Sequence, residues 1–281
     1  MPTKIVAMTC MPGCIERGSQ IRTGTDYSRY GQVTWKWWCK QHGFEFVVLD
    51  QPLGGQPFEK TPPSIQRWFA PAMLMRTYGE DAKIVMVDAD TMIRWDAPDF
   101  FDLGGPHLAV GHANSIPWIS STIAAYQSLF TDVQVLPFEY FNSGVVVMGK
   151  QQLPFLKDFT EFAKVHWLDL RAVQMSGNYG SDQTPLNFIA RRNRLPIHFL
   201  PPMFNLLNCG SFARALMGPE KQMGREEFLR ILRSNPYIFD FINHGYVWHF
   251  SALYRYRSLL MAHTWSQVCE RYPGCDLERI S

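Results

Sequence analysis

The most constraining feature of this chain is the alternation of buried-strand and helical patterns through its first hundred residues. Lys4 to Thr9 reads as a buried strand, and a Gly-, Ser- and Thr-rich stretch from Gly13 to Thr25 follows it as a loop. An apolar and aromatic helical pattern runs from Tyr30 to Gln41 and stops at Gly43, after which Phe44 to Leu49 forms the next strand. A Pro- and Gly-rich loop over Gln51 to Pro63 leads into a helix from Ser64 to Tyr78, with Ser64 as its cap and Gly79 as its stop. Lys83-Ile84-Val85-Met86-Val87 is the best buried-strand signal in the chain, and it delivers Asp88-Ala89-Asp90 at its C-terminal end. This order predicts a right-handed, parallel α/β sheet, whose ligands bind at the C-terminal ends of its strands.

Beyond that strand the elements shorten. Strands are predicted at Leu108 to Gly111, Gly144 to Met148, Ile197 to Leu200 and Tyr246 to Phe250, and helices at Ser121 to Phe130, Leu153 to Trp167, Gly224 to Arg233 and Leu253 to Arg271. Another helix opens at Ser181-Asp182-Gln183-Thr184-Pro185, where Ser181 suits the cap and Pro185 is tolerable in the first turn. No repeat, low-complexity segment or linker interrupts the 281 residues, so the expectation is one domain over 1–281 whose second half forms the other wall of the cleft.

Composition removes several classes. The chain is 46% hydrophobic and 19% charged, which suits a folded globule rather than a disordered chain. Its net charge of +2 is too small for the electrostatic footprint of a general nucleic-acid binder. The opening apolar run Ile5 to Met8 is too short for a signal peptide, and no window has the length of a membrane span. The expected location is therefore cytoplasmic. A basic, aromatic stretch from Tyr254 to Trp265 leaves peripheral membrane contact open, although packing on the core is the preferred reading. The six cysteines read as reduced thiols, because no second closely spaced pair completes a zinc site with Cys10 and Cys14.

Four short motifs carry chemistry. Asp88 and Asp90 stand where an α/β fold binds ligands, and two like charges so close call for a cation, oxygen ligands suiting Mg²⁺ or Mn²⁺. The plainer reading is a turn after the strand. Phe141-Asn142-Ser143-Gly144 sets an amide and a Gly at a strand entrance. Gly180-Ser181-Asp182-Gln183 adds a carboxylate, an amide and exposed backbone N–H groups at a helix start. Val247-Trp248-His249-Phe250 sets an imidazole in an apolar strand.

In this order the four motifs, with the opening strand Ile5-Val6-Ala7-Met8-Thr9, resemble the retaining nucleotide-sugar glycosyltransferases of the GT-A fold, especially the glycogenin and lipopolysaccharide galactosyltransferase family. The segment Trp38 to Phe44 looks more like the related fungal and plant galactosyl- and xylosyltransferases. The resemblance implies a single Rossmann-like domain with a central mixed, mostly parallel sheet flanked by helices. It implies a hexosyltransferase that moves a sugar, with retention of configuration, from a nucleoside-diphosphate donor, foremost a UDP-sugar, to a glycan, lipid-linked or protein acceptor. Asp88, Asp90 and His249 then bind Mn²⁺ or Mg²⁺. Asn142, Asp182 and Gln183 hold the transferred sugar, and Thr9, Tyr30 and Arg67 serve the nucleoside pocket and the paired carboxylates. The family has a Lys six residues after the His; this chain has Arg255 there, assigned to the diphosphate or, alternatively, to a solvated face beside Arg257. Arg67 and Arg76 both precede the Asp-x-Asp strand, and either is able to point inward. Of the nine tryptophans only Trp118, in the loop Asn114 to Trp118, is nominated as an acceptor contact. A nucleotidyltransferase and a non-catalytic carbohydrate-binding protein are the alternatives. The first is disfavoured because Cys10-Met11-Pro12-Gly13-Cys14 has one Gly and no Lys after the first strand.

Overall fold

The computed structural model describes residues 2–11, 27–53, 62–113, 115–177, 179–207, 224–234, 243–251 and 257–271. Its strands are β1 (Lys4–Thr9), β2 (Glu45–Leu49), β3 (Lys83–Asp88), β4 (Thr91–Ile93), β5 (Leu108–His112), β6 (Phe141–Met148), β7 (Ile197–Phe199) and β8 (Val247–His249). The main sheet has the order β2-β1-β3-β6-β5-β7. β6 alone runs against the other five, pairing antiparallel with β3 and β5, so the sheet is mixed and mostly parallel.

Alternation along the strands divides two cores. Val6, Met8, Val85, Val87, Val145 and Val147 face one side, while Ile5, Ala7, Ile84, Met86, Val146 and Met148 face the other. Helix α1 (Ser28–His42) covers the first face with Trp35 and Trp38. The second is covered by α3 (Ala70–Tyr78), α5 (Leu153–Val165) and α7 (Gln183–Arg192). A strand sandwiched this way is apolar on both faces, which is why β1, β3 and the second half of β6 read as continuous hydrophobic runs.

Several predicted boundaries change. The helix expected over Ser64 to Tyr78 is broken into α2 (Pro63–Gln66), a 3₁₀ turn at Arg67–Phe69, and α3. Pro71, in the first turn of α3, has no N–H to continue a ladder from the residues before it. Ser64 lies inside α2 rather than capping it, and its hydroxyl meets the Ser181 hydroxyl at 2.5 Å. Ser181 is likewise not a cap; the N-cap of α7 is Asp182. Helix α4 (Ile116–Tyr126) begins before Ser121, so Trp118 stands in a helical first turn instead of a loop. The strand β4 and helix α6 (Trp167–Gly177) have no counterpart among the predicted elements. Gly43 and Gly79 end α1 and α3 as expected.

Helices α8 (Arg225–Ser234) and α9 (Arg257–Arg271) follow later in the chain. Leu260, Met261, Trp265 and Val268 of α9 are buried in the first core, with Trp265 against Tyr30 at 6.5 Å between ring centroids. Of the stretch from Tyr254 to Trp265, residues 254–256 lie outside the described residues, and the apolar side chains of α9 pack on the core. Among the described residues no helix is long and apolar enough to cross a membrane.

Candidate functional site

The C-terminal ends of β1 and β3 lie side by side, with Thr9 in register with Asp88. After Asp88 the chain turns through Ala89 and Asp90 into β4, which pairs antiparallel with β8 so that Thr91 faces His249. Phe250 N–H donates to the Asp90 carbonyl at 2.9 Å and completes the junction. Helix α1 clamps this turn: Trp35 Nε1 donates to Thr91 Oγ1 at 3.0 Å, and Thr91 Oγ1 donates to the Asp88 carbonyl at 2.7 Å.

Asp88, Asp90 and His249 therefore converge, with one ligand atom from each within 4.8 Å of the others. His249 Nε2 lies 3.2 Å from Asp90 Oδ1 and 3.5 Å from Asp88 Oδ2. It is buried and has no hydrogen-bond partner among the described residues. An orphaned imidazole nitrogen aimed between two carboxylates is costly unless something binds it, and one nitrogen with two hard oxygens is a donor set that fits a divalent cation such as Mn²⁺ or Mg²⁺.

Arg67 is buried and bridges both acidic motifs. Its Nη1 donates to Asp88 Oδ1, and its Nη2 donates to Asp182 Oδ2 at 2.9 Å and to the Ser143 carbonyl at 2.8 Å. Trp68 Nε1 donates to the same Asp182 oxygen at 2.9 Å. Burial works against the charge of Arg67, but Asp88 and Asp182 outweigh it and hold the guanidinium above its ordinary value. Arg76, the other arginine before β3, is exposed. The two carboxylates of the Asp-x-Asp motif are pushed apart. Burial raises Asp88, and repulsion from Asp90 and Asp182 adds to it against the pull of Arg67 and His249. Burial also opposes ionisation of Asp90, but Arg257 and His249 hold that carboxyl well below the ordinary range.

Arg257, to which the sequence analysis gives no role, also reaches the site. It is buried, with Nη2 3.2 Å from Asp90 Oδ2 and Nε donating to the Phe250 carbonyl at 3.2 Å. Arg255 lies outside the described residues.

The amides form a second cluster. Asn142 Nδ2 and Ser143 N–H both donate to Gln183 Oε1, at 2.9 and 3.1 Å, and Gln183 Nε2 donates to the Tyr140 hydroxyl at 3.3 Å. Asn142, Gln183 and Asp182 are thus brought to one place, Asp182 through Arg67 and Trp68 rather than through the amides. Thr9 Oγ1 is buried without a hydrogen-bond partner among the described residues. Tyr30 is buried in the first turn of α1, its hydroxyl accepting from Arg29 Nη2 at 2.9 Å. Trp118 is half-buried, edge-on to Tyr140 at 6.2 Å. Asn205, Tyr140 and Trp68 were not anticipated. Asn205 follows Pro201-Pro202-Met203-Phe204, where an Asn reads as a turn residue.

No protein-family model and no curated protein sequence matches this chain. Solved structures do. A glycosyltransferase involved in glycosylation of the major capsid of PBCV-1 superposes with a TM-score of 0.51 over 94% of this chain and 98% of that one, at 12% identity. This is the GT-A glycosyltransferase fold. The galactosyltransferase LgtC, solved with donor and acceptor sugar analogs, covers 97% of this chain and 99% of its own at 16% identity, with a TM-score of 0.46. At these identities the likeness is one of fold, and the chemistry rests on the residues themselves.

Proposed function

We propose that this GT-A chain is a metal-dependent hexosyltransferase that moves a sugar from a nucleoside-diphosphate donor to a glycan, lipid-linked or protein acceptor, with retention of configuration. The observation that carries the reading is the orphaned His249 Nε2 facing Asp88 and Asp90 at the strand ends of this fold. Those three residues would hold Mn²⁺ or Mg²⁺, and such a cation supplies positive charge opposite the departing diphosphate.

The chain's own residues do the rest. Arg67 orients Asp88 from behind and ties it to Asp182, so the two acidic motifs move as one unit. Asn142 and Gln183 present amides at the mouth of the same cluster, where oriented polar groups position the transferred sugar. The Thr9 hydroxyl at the end of β1, unpartnered among the described residues, and Tyr30 of α1 would serve the nucleoside, a uridine foremost. Arg257, already engaged with Asp90, neutralises the metal-binding carboxylates, which leaves Arg255 to the diphosphate. Trp118 offers an apolar face to the acceptor.

A thermal-shift screen tests this with nucleoside diphosphates and UDP-sugars, each with and without Mn²⁺. A ligand that binds only the folded state at a hundred times its Kd stabilises by about 2.7 kcal/mol. The expected result is a Mn²⁺-dependent rise with one nucleotide family that disappears in Asp90→Ala, together with loss of sugar transfer in that variant. No Mn²⁺-dependent shift in the wild type, or full transfer by Asp90→Ala in excess chelator, overturns the proposal.

A further inference from the structure

We propose that Asn205 is the positioning residue that locks His249 in the tautomer a metal requires and ties that imidazole to the sugar-holding amides. The inference rests on reading Asp88, Asp90 and His249 as a metal site.

Two backbone N–H groups, which donate and never accept, fix the direction of every hydrogen bond in the relay. Gly144 N–H donates to Asn142 Oδ1 at 2.8 Å, and Ser143 N–H donates to Gln183 Oε1 at 3.1 Å. These fixed donors set both amides, so Asn142 turns its Nδ2 to Gln183 Oε1 at 2.9 Å and its oxygen the other way. That oxygen lies 2.9 Å from the Asn205 amide, which must therefore present Nδ2 to it as a donor. Asn205 then has only its own Oδ1 left for His249 Nδ1, 3.1 Å away. An oxygen acceptor there needs Nδ1 to carry the proton, and a neutral imidazole protonated at Nδ1 keeps its lone pair at Nε2. Nε2 is the atom that faces Asp88 and Asp90. The proton on one face of the imidazole is thus dictated by a backbone amide three links away.

The surrounding backbone is built around this relay. A Cβ at Gly111 would lie 2.2 Å from Asn205 Nδ2, and a Cβ at Gly144 would lie 2.1 Å from His249 Cε1. Gly111 sits where the pairing of β5 with β6 shifts register, which opens the space Asn205 occupies. Leu206, next to Asn205, donates to the Val247 carbonyl at 2.8 Å and accepts from His249 N–H at 3.2 Å, so both side chains hang from one stitched pair of segments. Asn205 is buried. An outer partner of this kind orients a metal-binding histidine and raises its basicity, and its loss costs about 10- to 100-fold in affinity.

Manganese titration followed by electron paramagnetic resonance tests the proposal on the full chain, with melting in chelator to establish that each variant is folded. Wild type is expected to bind Mn²⁺; if it does not, the metal reading itself fails. Given wild-type binding, Asn205→Ala should bind about 10- to 100-fold more weakly. Asn205→Asp keeps an oxygen for His249 Nδ1–H and should recover most of that loss. It lacks the donor to Asn142, so its kcat for sugar transfer should remain about tenfold or more below wild type despite the restored metal affinity. Unchanged affinity in Asn205→Ala, or an Asn205→Asp variant as weak as Asn205→Ala, overturns the role of Asn205 while leaving the metal reading intact. Imidazole ¹⁵N shifts of the wild type loaded with diamagnetic Mg²⁺ need no variant. They should show His249 protonated at Nδ1, and a metal-loaded His249 without a proton on Nδ1 overturns the proposal.

Discussion

Asp88 and Asp90 are one residue apart, yet they enter opposite electrostatic surroundings. Asp90 is buried against Arg257 and His249, and its carboxyl ionises below the ordinary range, whereas Asp88 is raised by burial and by its acidic neighbours. The signs of their effects on stability differ accordingly. Asp90 contributes stability that is present above the unfolded value near 3.9 and is lost as pH falls through its lower folded value. Asp88 holds a proton that the unfolded chain has already released, so it subtracts stability as pH rises from about 4 through its raised value. In chelator at pH 7, Asp88→Asn is expected to raise the urea midpoint and Asp90→Asn to lower it, each unit of pKa difference being worth about 1.4 kcal/mol. The gap should close as pH falls below the ordinary carboxylate range. Equal signs at pH 7 would mean that Arg67 dominates Asp88 more than its burial does.

At the scale of elements, the site depends on pieces that are weak by themselves. β4 and β8 have three residues each and form a separate two-stranded ribbon. Their register sets His249 beside the Asp-x-Asp turn, but so short a pairing has little local signal to announce it. The break between α2 and α3 is similar: the 3₁₀ turn carries Arg67 and Trp68 inward to Asp182, where a continuous helix was expected. β6 shows the same economy, since Gly144 must lack a side chain for His249 to stand where it does. Gly144→Ala is therefore expected to cost about 1–3 kcal/mol in chemical denaturation, as overpacking does, and to weaken Mn²⁺ binding beyond what its stability loss explains. Ala at this position with wild-type affinity would show that β6 yields instead of the imidazole.

Across the whole molecule, the two faces of the sheet are sealed by different helices, and buried thiols report on that seal. Cys10 and Cys39 are buried, and burial pushes their thiols up to about 11 and about 12. Cys269, near the end of α9, is exposed. In the folded protein at pH 8, alkylation followed by peptide mapping should label Cys269 and leave Cys10 and Cys39 unmodified until denaturant is added. The same shifts work against the fold in alkali. The unfolded thiols ionise near 8.5 while the folded ones retain their protons, so stability should fall as pH rises from that value toward about 11. Labelling of Cys39 in the native state would mean that α1 opens away from β2 and the first core.

The strand and helix periodicities, the parallel start of the sheet and the residue types of the four motifs were legible in the sequence, because each is a local pattern of burial or of turn chemistry. Asp88, Asp90, Asn142, Asp182, Gln183 and His249 were readable as a set only through the resemblance of the four motifs, in their order, to a known family. Only the tertiary structure decided which arginine turns inward, that Arg257 meets Asp90, and that Asn205 joins His249 to Asn142. Those outcomes depend on contacts between residues 21 to 167 positions apart, which local periodicity does not encode. The orientation of the amide relay is the clearest case, since it is set by backbone N–H groups that every sequence of this length possesses and that only the fold aims.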